Sequence, residues 1–405
     1  MRHNREASCA QACQICKACD LTEVKNFSSL PRITSDCRNF GAGGKLFVCL
    51  TCGCVQKLPD AHWLEEIDGI YSNYEVYYQS GGEEQIVFDR VTGTLRQRSD
   101  VILERLAAEK QLGAKGRAID VGCGNGATLR AMSRTLTGWS FSGYELKDGA
   151  LPRLSRIPRF EKLYTGILGA IDERFDLVTM VHSLEHFPSP RDVLLQLLPV
   201  VGNGKIFINV SNIAENPFDI LIADHLMHFS PEILSDLLRR AGFLTTLVAT
   251  DWVPKEISLL AKKAENKKMK DSSENFLEAH KAEKVFVCMS AYVDWLRNTV
   301  DQVRTLVHEG RSLGIFGTSI AATWLAETLP AGVDFFVDED SSRVGKEHRG
   351  KPILHPSQVP ESARVYFALV PSLAETIADR LKANKFEKIL PVPMEIRYPC
   401  LGFCS

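Results

Sequence analysis

Long hydrophobic runs are missing from this chain: no stretch of its 405 residues approaches the roughly 18 uninterrupted apolar residues of a membrane-spanning helix. The opening Met1-Arg-His-Asn-Arg-Glu is followed by no apolar segment of the signal-peptide kind, so a soluble, unexported, cytoplasmic chain with no membrane partner is the expectation. An excess of one charge is missing too. Lys and Arg number 48 against 50 Asp and Glu, a net charge of −2, and the two signs are interspersed. That balance excludes the basic stripe of a dedicated nucleic-acid binder and leaves a small molecule as the expected partner. What is abundant is cysteine, and in one place: of 12 cysteines, 8 fall within the first 54 residues. Without an export signal a disulfide framework is not expected, and the clustering reads as a metal site.

At this length, with 45% hydrophobic residues, the chain exceeds one core and should divide into several units. We expect a Cys-rich zinc-binding module over 1–60, too poor in apolar residues to stand without a metal staple. A Tyr-rich helical connector should follow over 61–99, built around Ile70-Tyr-Ser-Asn-Tyr-Glu-Val-Tyr-Tyr78, whose aromatics either pack on a neighbour or roof a substrate pocket. Residues 100–255 alternate helical and strand patterns, the signature of a parallel α/β sheet, with strands expected at Ala118–Val121, Ser140–Tyr144, Phe175–Val181 and Lys205–Val210. A charged linker and helix should occupy 256–310. Lys262–Lys270 would be its solvated part, and Met289, Tyr292, Val293, Leu296, Val300, Val303 and Leu306 keep helical spacing. Over 311–405 the strands Ser312–Phe316 and Val333–Val337, the second ending at Asp338, predict a C-terminal Rossmann-like domain.

The motif with most chemistry is Asp120-Val-Gly-Cys-Gly-Asn-Gly126. Its spacing, G-x-G-x-G after an acid, differs from the dinucleotide fingerprint G-x-G-x-x-G that seats a pyrophosphate on a helix N-terminus. An acid beside the loop suits a nucleoside that carries an ammonium group and no phosphate. Glu145, at the end of the next strand and about 20 residues on, can grip both hydroxyls of a ribose. A third element, Phe175-Asp-Leu-Val-Thr-Met-Val-His-Ser-Leu-Glu-His-Phe187, is a strand whose carboxyl end should border the reacting group.

On these three elements, residues 115–245 resemble a class I methyltransferase domain, of the type with D-x-G-x-G-x-G and a later L-E-H segment. The resemblance implies S-adenosylmethionine as cofactor, with Asp120, Gly122, Cys123, Gly124, Gly126, Glu145, Leu146 and His182 as its site. His182, Glu185 and His186 belong to the L-E-H region, which borders the cofactor in this fold, and carry no catalytic role in this reading. One departure is the lack of an acid near Tyr164-Thr-Gly166, where many relatives contact the adenine.

In the cysteine cluster, Cys16-Lys-Ala-Cys19 and Cys49-Leu-Thr-Cys52 are two C-x2-C knuckles about 30 residues apart, which suits one tetrahedral zinc held by Cys16, Cys19, Cys49 and Cys52. Four thiolates leave no open position, so such a zinc would be structural. Cys13 also forms C-x2-C with Cys16, and Cys13/Cys16/Cys19 imitates the start of an iron–sulfur run, so that alternative stays open. For a base, Ile222-Ala-Asp-His-Leu-Met-His-Phe-Ser230 offers His225 and His228, which can accept a proton near neutral pH, with Asp224 placed to orient one of them or to bind a substrate hydroxyl. The bland alternative is that His225 packs near the helix Pro231–Ala241.

Taken whole, the chain resembles the three-domain sugar C-methyltransferases of deoxysugar pathways, in which a zinc module, a cofactor domain and a C-terminal domain hold a nucleotide-linked ketosugar. The family's Y-x-E-H motif falls on Ile222, Ala223, Asp224 and His225: the histidine is kept, the acid shortened and the tyrosine absent. The resemblance implies methyl transfer to a sugar, at carbon or oxygen, with His225 and Asp224 as catalytic residues. A methyltransferase of a non-sugar metabolite and a catalytically silent binding protein are the rival readings. The intact Asp120, Gly122, Gly124, Gly126 and Glu145 speak against the second.

Overall fold

The computed structural model describes residues 11–74, 84, 86–89, 91–265, 279–329 and 331–399. The stretches 75–78 and 266–270 of the expectations above lie outside them. Strands β1 (Leu21–Glu23), β4 (Phe47–Cys49) and β5 (Val55–Gln56) form an antiparallel sheet, and β2 (Arg32–Ile33) and β3 (Asn39–Phe40) a separate hairpin. Val24, Phe27, Leu30, Ile33, Leu46, Val48 and Val55 are buried, but in a core continuous with that of the central sheet. The N-terminal residues therefore gain their hydrophobic burial by docking. Helix α1 (Ala61–Ser72) starts where the Asp60 side chain accepts a hydrogen bond from Trp63 N at 2.9 Å, and it buries Trp63, Ile67 and Ile70 on one face.

After the hairpin β6 (Ile86–Asp89) and β7 (Thr94–Gln97) and helix α2 (Arg98–Ala108) comes the central sheet. Its strands are β8 (Gly116–Val121), β9 (Trp139–Tyr144), β10 (Phe160–Tyr164), β11 (Leu177–Val181) and β12 (Lys205–Ser211), followed, past the short β13 (Met227–His228), by β14 (Phe243–Ala249) and β15 (Glu256–Lys263). Their order is β10-β9-β8-β11-β12-β15-β14. The first five run parallel, and β15 is antiparallel to both neighbours. Helices α3 (Ala127–Thr135), α4 (Leu151–Leu154), α5 (Pro190–Val201) and α6 (Pro231–Arg240) connect them. Ile206 to Val210 in β12 are all buried, as a strand covered on both faces requires. The chain leaves β8 toward β9 and β10 and returns to β11 on the other side, which opens a crevice at the carboxyl end of β8, the usual ligand position in such sheets.

Three expectations shift. Phe175 and Asp176 precede β11 instead of opening it, and Val333 and Asp334 precede the later strand Phe335–Val337. Lys262 and Lys263 close strand β15 and do not begin an exposed helix, because β15 alternates between two paired neighbours through residue 263.

Helix α7 (Ala279–His308) buries Val285, Met289, Tyr292, Val293, Leu296, Val300 and Val303. A second sheet follows, of β16 (Leu313–Phe316), β17 (Phe335–Val337), β18 (Glu347–His348), β19 (Lys351–Leu354), β20 (Arg364–Phe367) and β21 (Glu387–Ile389), with α8 (Ile320–Thr328) after β16 and α9 (Pro371–Arg380) after β20. Its order is β18-β19-β17-β16-β20-β21, parallel except for β18. Among the described residues no helix is long and apolar enough to cross a membrane.

Candidate active site and cysteine cluster

The loop after β8 holds Gly122, Gly124 and Gly126 at φ of +78°, +50° and +85°, in the left-handed region that favours glycine. Packing adds to the demand: a Cβ on Gly122 would come within 2.6 Å of Ser183 Cβ, and one on Gly126 within 2.5 Å of Leu154 Cδ2. Glu145, just past β9, reaches over this loop. Its Oε2 accepts from Gly124 N and its Oε1 from Leu146 N, both at 2.8 Å. Leu146 itself is 61% exposed beside that carboxylate. Gly124, Glu145 and Leu146 thus come together, as do Gly122 and Gly126. Cys123 is buried, with Sγ packed so closely on β9 that a Cβ on Gly143 would lie 2.7 Å from it.

Asp120 is turned away from the role expected of it. Register places it opposite Thr179 of β11, whose hydroxyl donates to Asp120 Oδ1 at 2.6 Å. The carboxyl is buried, and burial pushes it up to about 7 against the lowering effect of Thr179. Asp120 therefore ties the loop's root to β11 and does not face outward as a free acid.

His182 leaves β11 with φ of +48° and stands between two carboxylates, Nδ1 3.3 Å from Glu185 Oε1 and Nε2 3.3 Å from Glu256 Oε1. Burial and Arg98 push the imidazole down, but Glu256 and Glu185 outweigh them and raise it to about 9. Arg98 completes this charged floor, 3.7 Å from Glu256. Glu256 had no sequence signal, since it opens a strand 74 residues beyond His182.

The histidine segment is organised by a residue the sequence reading missed. Asp219 lies in a 3₁₀ turn, Pro217–Leu221, and its carboxylate receives two imidazoles: His225 Nδ1 is 3.0 Å from Oδ1 and His228 Nδ1 is 2.6 Å from Oδ2. All three residues are buried. Despite burial, the two histidines hold the Asp219 carboxyl well below the usual range, and burial keeps His228 down at about 4 against the pull of Asp219. With Nδ1 occupied by a carboxylate, His225 keeps Nε2 as its proton acceptor. Asp219, Ile222, His225 and His228 recur every third residue, and that period was the available signal.

Asp224, expected to orient His225, does not. Its carboxylate accepts from Ser35 N at 2.8 Å and Ser35 Oγ at 2.5 Å, and it lies 3.3 Å from His186 Nδ1. Ser35 Oγ is also 3.2 Å from Tyr74 Oη, and the Tyr71 and His186 rings are 6.3 Å apart. The His186 ring meets that of His225 edge-on at 4.8 Å. Tyr71 and Tyr74 of the connector thus border this cluster while also packing on the core. Ile222, where the resembling family has tyrosine, forms a β-bridge to Ile33.

The thiols that converge are those of Cys13, Cys16, Cys49 and Cys52, all within 4.8 Å of one another. Cys13 and Cys52 Sγ are 3.6 Å apart, as are Cys16 and Cys49 Sγ. Cys13 takes the place expected of Cys19, which stands outside the quartet. The reason is local. Lys17, at φ of +62°, turns the chain back, so that Lys17 N donates to Cys13 O at 3.1 Å and Cys13 N to Ala18 O at 2.9 Å. The second knuckle repeats the device with Gly53, at φ of +73°, donating to Cys49 O at 2.7 Å. Mutual hydrogen bonding among the four sulfurs lowers the Cys16 thiol and raises those of Cys13, Cys49 and Cys52.

Comparison with known proteins bears on the central unit. A methyltransferase-domain family matches residues 94–248. The ubiquinone biosynthesis O-methyltransferase of Pseudomonas fluorescens is 29% identical over 135 residues, 30% of this chain and 57% of that protein. That of Pseudomonas aeruginosa is 27% identical over 143 residues, with the same coverage. The chain thus spans a little over half the length of these curated relatives. Human N-acetylserotonin methyltransferase in complex with S-adenosylmethionine, at 15% identity and a TM-score of 0.36, covers 41% of this chain with 52% of its own. Magnesium protoporphyrin IX methyltransferase from Synechocystis PCC 6803, at 14% identity and a TM-score of 0.32, covers 41% with 78%. With its glycine loop, the carboxylate after β9 and the matching family, the stretch 94–248 is a class I, S-adenosylmethionine-dependent methyltransferase domain.

Proposed function

We propose that the chain transfers a methyl group from S-adenosylmethionine to a sugar, preferentially one linked to a nucleotide, and that His225 takes the acceptor's proton. The observation that carries this reading is the buried Asp219–His225 pair, 3.0 Å apart, at the meeting of the methyltransferase domain, the cysteine module and α1. The residues around the glycine loop fit the cofactor: Glu145 is aimed across Gly124 for a ribose, and Leu146 offers an exposed apolar face for a base. When bound, the cofactor supplies an electrophilic methyl on a sulfonium sulfur. Asp219 fixes the His225 tautomer and stabilises the imidazolium that forms. Ser35, Asp224, His186 and Tyr74 supply a polar wall of donors and acceptors that suits a hydroxylated acceptor.

The quartet Cys13, Cys16, Cys49 and Cys52 fits a structural zinc. A tetrahedron with metal–sulfur arms of about 2.3 Å has edges of about 3.8 Å, and two of its edges here measure 3.6 Å. Zinc there would shape the fold and perform no step. Metal analysis finding iron with labile sulfide overturns it.

The test of the main reading is S-adenosylhomocysteine release with a panel of nucleotide sugars, wild type against His225→Ala. Turnover that survives His225→Ala on the true acceptor defeats the assignment of the base. A second reading, O-methylation of a non-sugar metabolite, is favoured by the names of the Pseudomonas relatives, and turnover of phenols but no sugar would select it. Calorimetry showing no S-adenosylmethionine binding would leave only a silent binding protein.

A further inference from the structure

The segment that carries His225 is held in an unusual way. Strand β13 joins the cysteine module's own sheet, Met227 opposite Gln56 and His228 opposite Val55, so the two histidine-bearing turns hang from the edge of that module. Of the five consecutive carbonyls 222–226, four are taken by just two residues that follow the second knuckle. Lys57 Nζ donates to Ile222 O and, at 2.8 Å, to His225 O. Lys57 N donates to Leu226 O at 2.7 Å, and Trp63 Nε1 to Ala223 O at 3.2 Å. The fifth, Asp224 O, lies 3.1 Å from His186 Nδ1. Upstream, Gln56 Oε1 accepts from Gln14 N at 2.9 Å and from Cys54 Sγ at 3.4 Å, which binds β5 to the first knuckle as well.

A lysine fully removed from solvent is expensive, and among the described residues no carboxylate contacts the Lys57 ammonium. Burial pulls it down to about 7, with Arg32 adding to the effect and Asp219, Asp224 and Glu66 opposing it at longer range. A buried methionine or leucine would fill the same volume at lower cost. What only a lysine supplies here is a multi-donor tip that closes the turn between two carbonyls three residues apart.

We infer that Lys57 is a positioning residue for His225: its Nζ bridges the carbonyls of Ile222 and His225, sets the orientation of the imidazole on Asp219, and makes the cysteine module a structural part of the active site. The inference rests on the reading of His225 as the base. It does not rest on the identity of the acceptor.

The experiment uses the full chain, labelled with 15N at histidine, as wild type, Lys57→Met and Lys57→Arg, with S-adenosylhomocysteine binding measured as a check on the methyltransferase domain. In Lys57→Met, cofactor affinity should stay within twofold, while the His225 ring resonances move and the His228 titration rises, because the lysine charge that lowers it is gone. Lys57→Arg should restore both in part. With any acceptor turned over by wild type, kcat should fall at least tenfold in Lys57→Met while KM for the methyl donor stays within twofold. Histidine spectra that match wild type in Lys57→Met overturn the inference. Should that variant lose cofactor binding, Lys57→Gln, which keeps a donor, takes its place under the same criteria. The two ideas fail separately: turnover surviving His225→Ala removes the base, whereas loss in His225→Ala with unchanged spectra in Lys57→Met removes the positioning role alone.

Discussion

Replacing Asp219 with Asn is the sharpest probe of the candidate centre, because it preserves volume and removes only the charge and one acceptor. Asp219 is 1% exposed and serves two imidazoles, with contacts of 3.0 and 2.6 Å. An amide has one oxygen, so it can accept from one ring only. The ring left facing the N–H2 donor must bare its Nδ1 and carry its proton on Nε2; where that ring is His225, this is the wrong tautomer for accepting a proton. The imidazolium formed in the reaction also loses its counter-charge. A positioned base is worth ~10²–10⁴ in rate, and each factor of ten is about 1.4 kcal/mol of barrier. Asp219→Asn should therefore lose at least ~10² in kcat, about 3 kcal/mol. The assay is S-adenosylhomocysteine release at saturating acceptor, with donor affinity by calorimetry as the control, and that affinity should not change. A variant that folds, binds donor and retains kcat within threefold refutes the dyad.

Three further outcomes follow from the geometry. Glu145→Gln should weaken S-adenosylmethionine binding ~10- to 100-fold by calorimetry, since hydrogen bonds to a charged group are worth ~1.5–3 kcal/mol. Cys13→Ser should lower the zinc content of purified protein and Cys19→Ser should not; loss in Cys19→Ser with retention in Cys13→Ser would return Cys19 to the site. His182 is held at about 9 in the folded chain against 6.5 as its ordinary value. Its raised value means that the stabilisation is fully present below pH 6.5 and is lost as pH rises through about 9. The stability gap between wild type and His182→Gln, by denaturant titration, should be largest at low pH and shrink across that window. A gap that widens with pH would contradict the pairing with Glu185 and Glu256.

What could be read from the chain alone follows how local each determinant is. The loop Gly122–Gly126 and Glu145 are legible because they are consecutive features of one strand–loop–helix–strand unit, where glycine conformations and strand length leave few options. Asp219 was not, since the only trace of its tie to His225 is a three-residue recurrence, and it depends on a short 3₁₀ turn. Cys13 and Cys19 flank Cys16 at equal spacing, and the choice between them is made by the backbone angle of Lys17. Ser35, which holds Asp224, is separated from it by 189 residues, a distance no pattern bridges. Asp120 was legible as an acid beside the loop, but its bond to Thr179 was not, because strand register decides it.

Helix α7 also carries a ring that touches the centre from behind. Trp295 stacks edge-on against Phe218, 5.4 Å away, and its indole N–H is fixed to Val392 O at 2.8 Å. Phe218 is the residue just before Asp219. The tail of the second sheet and the turn that carries Asp219 are therefore joined through the aromatic contact of Trp295 with Phe218, which also meets Trp324 at 6.1 Å. The candidate centre thus has no independent foundation: the cysteine module, the central sheet and helix α7 all pack around the segment that carries it.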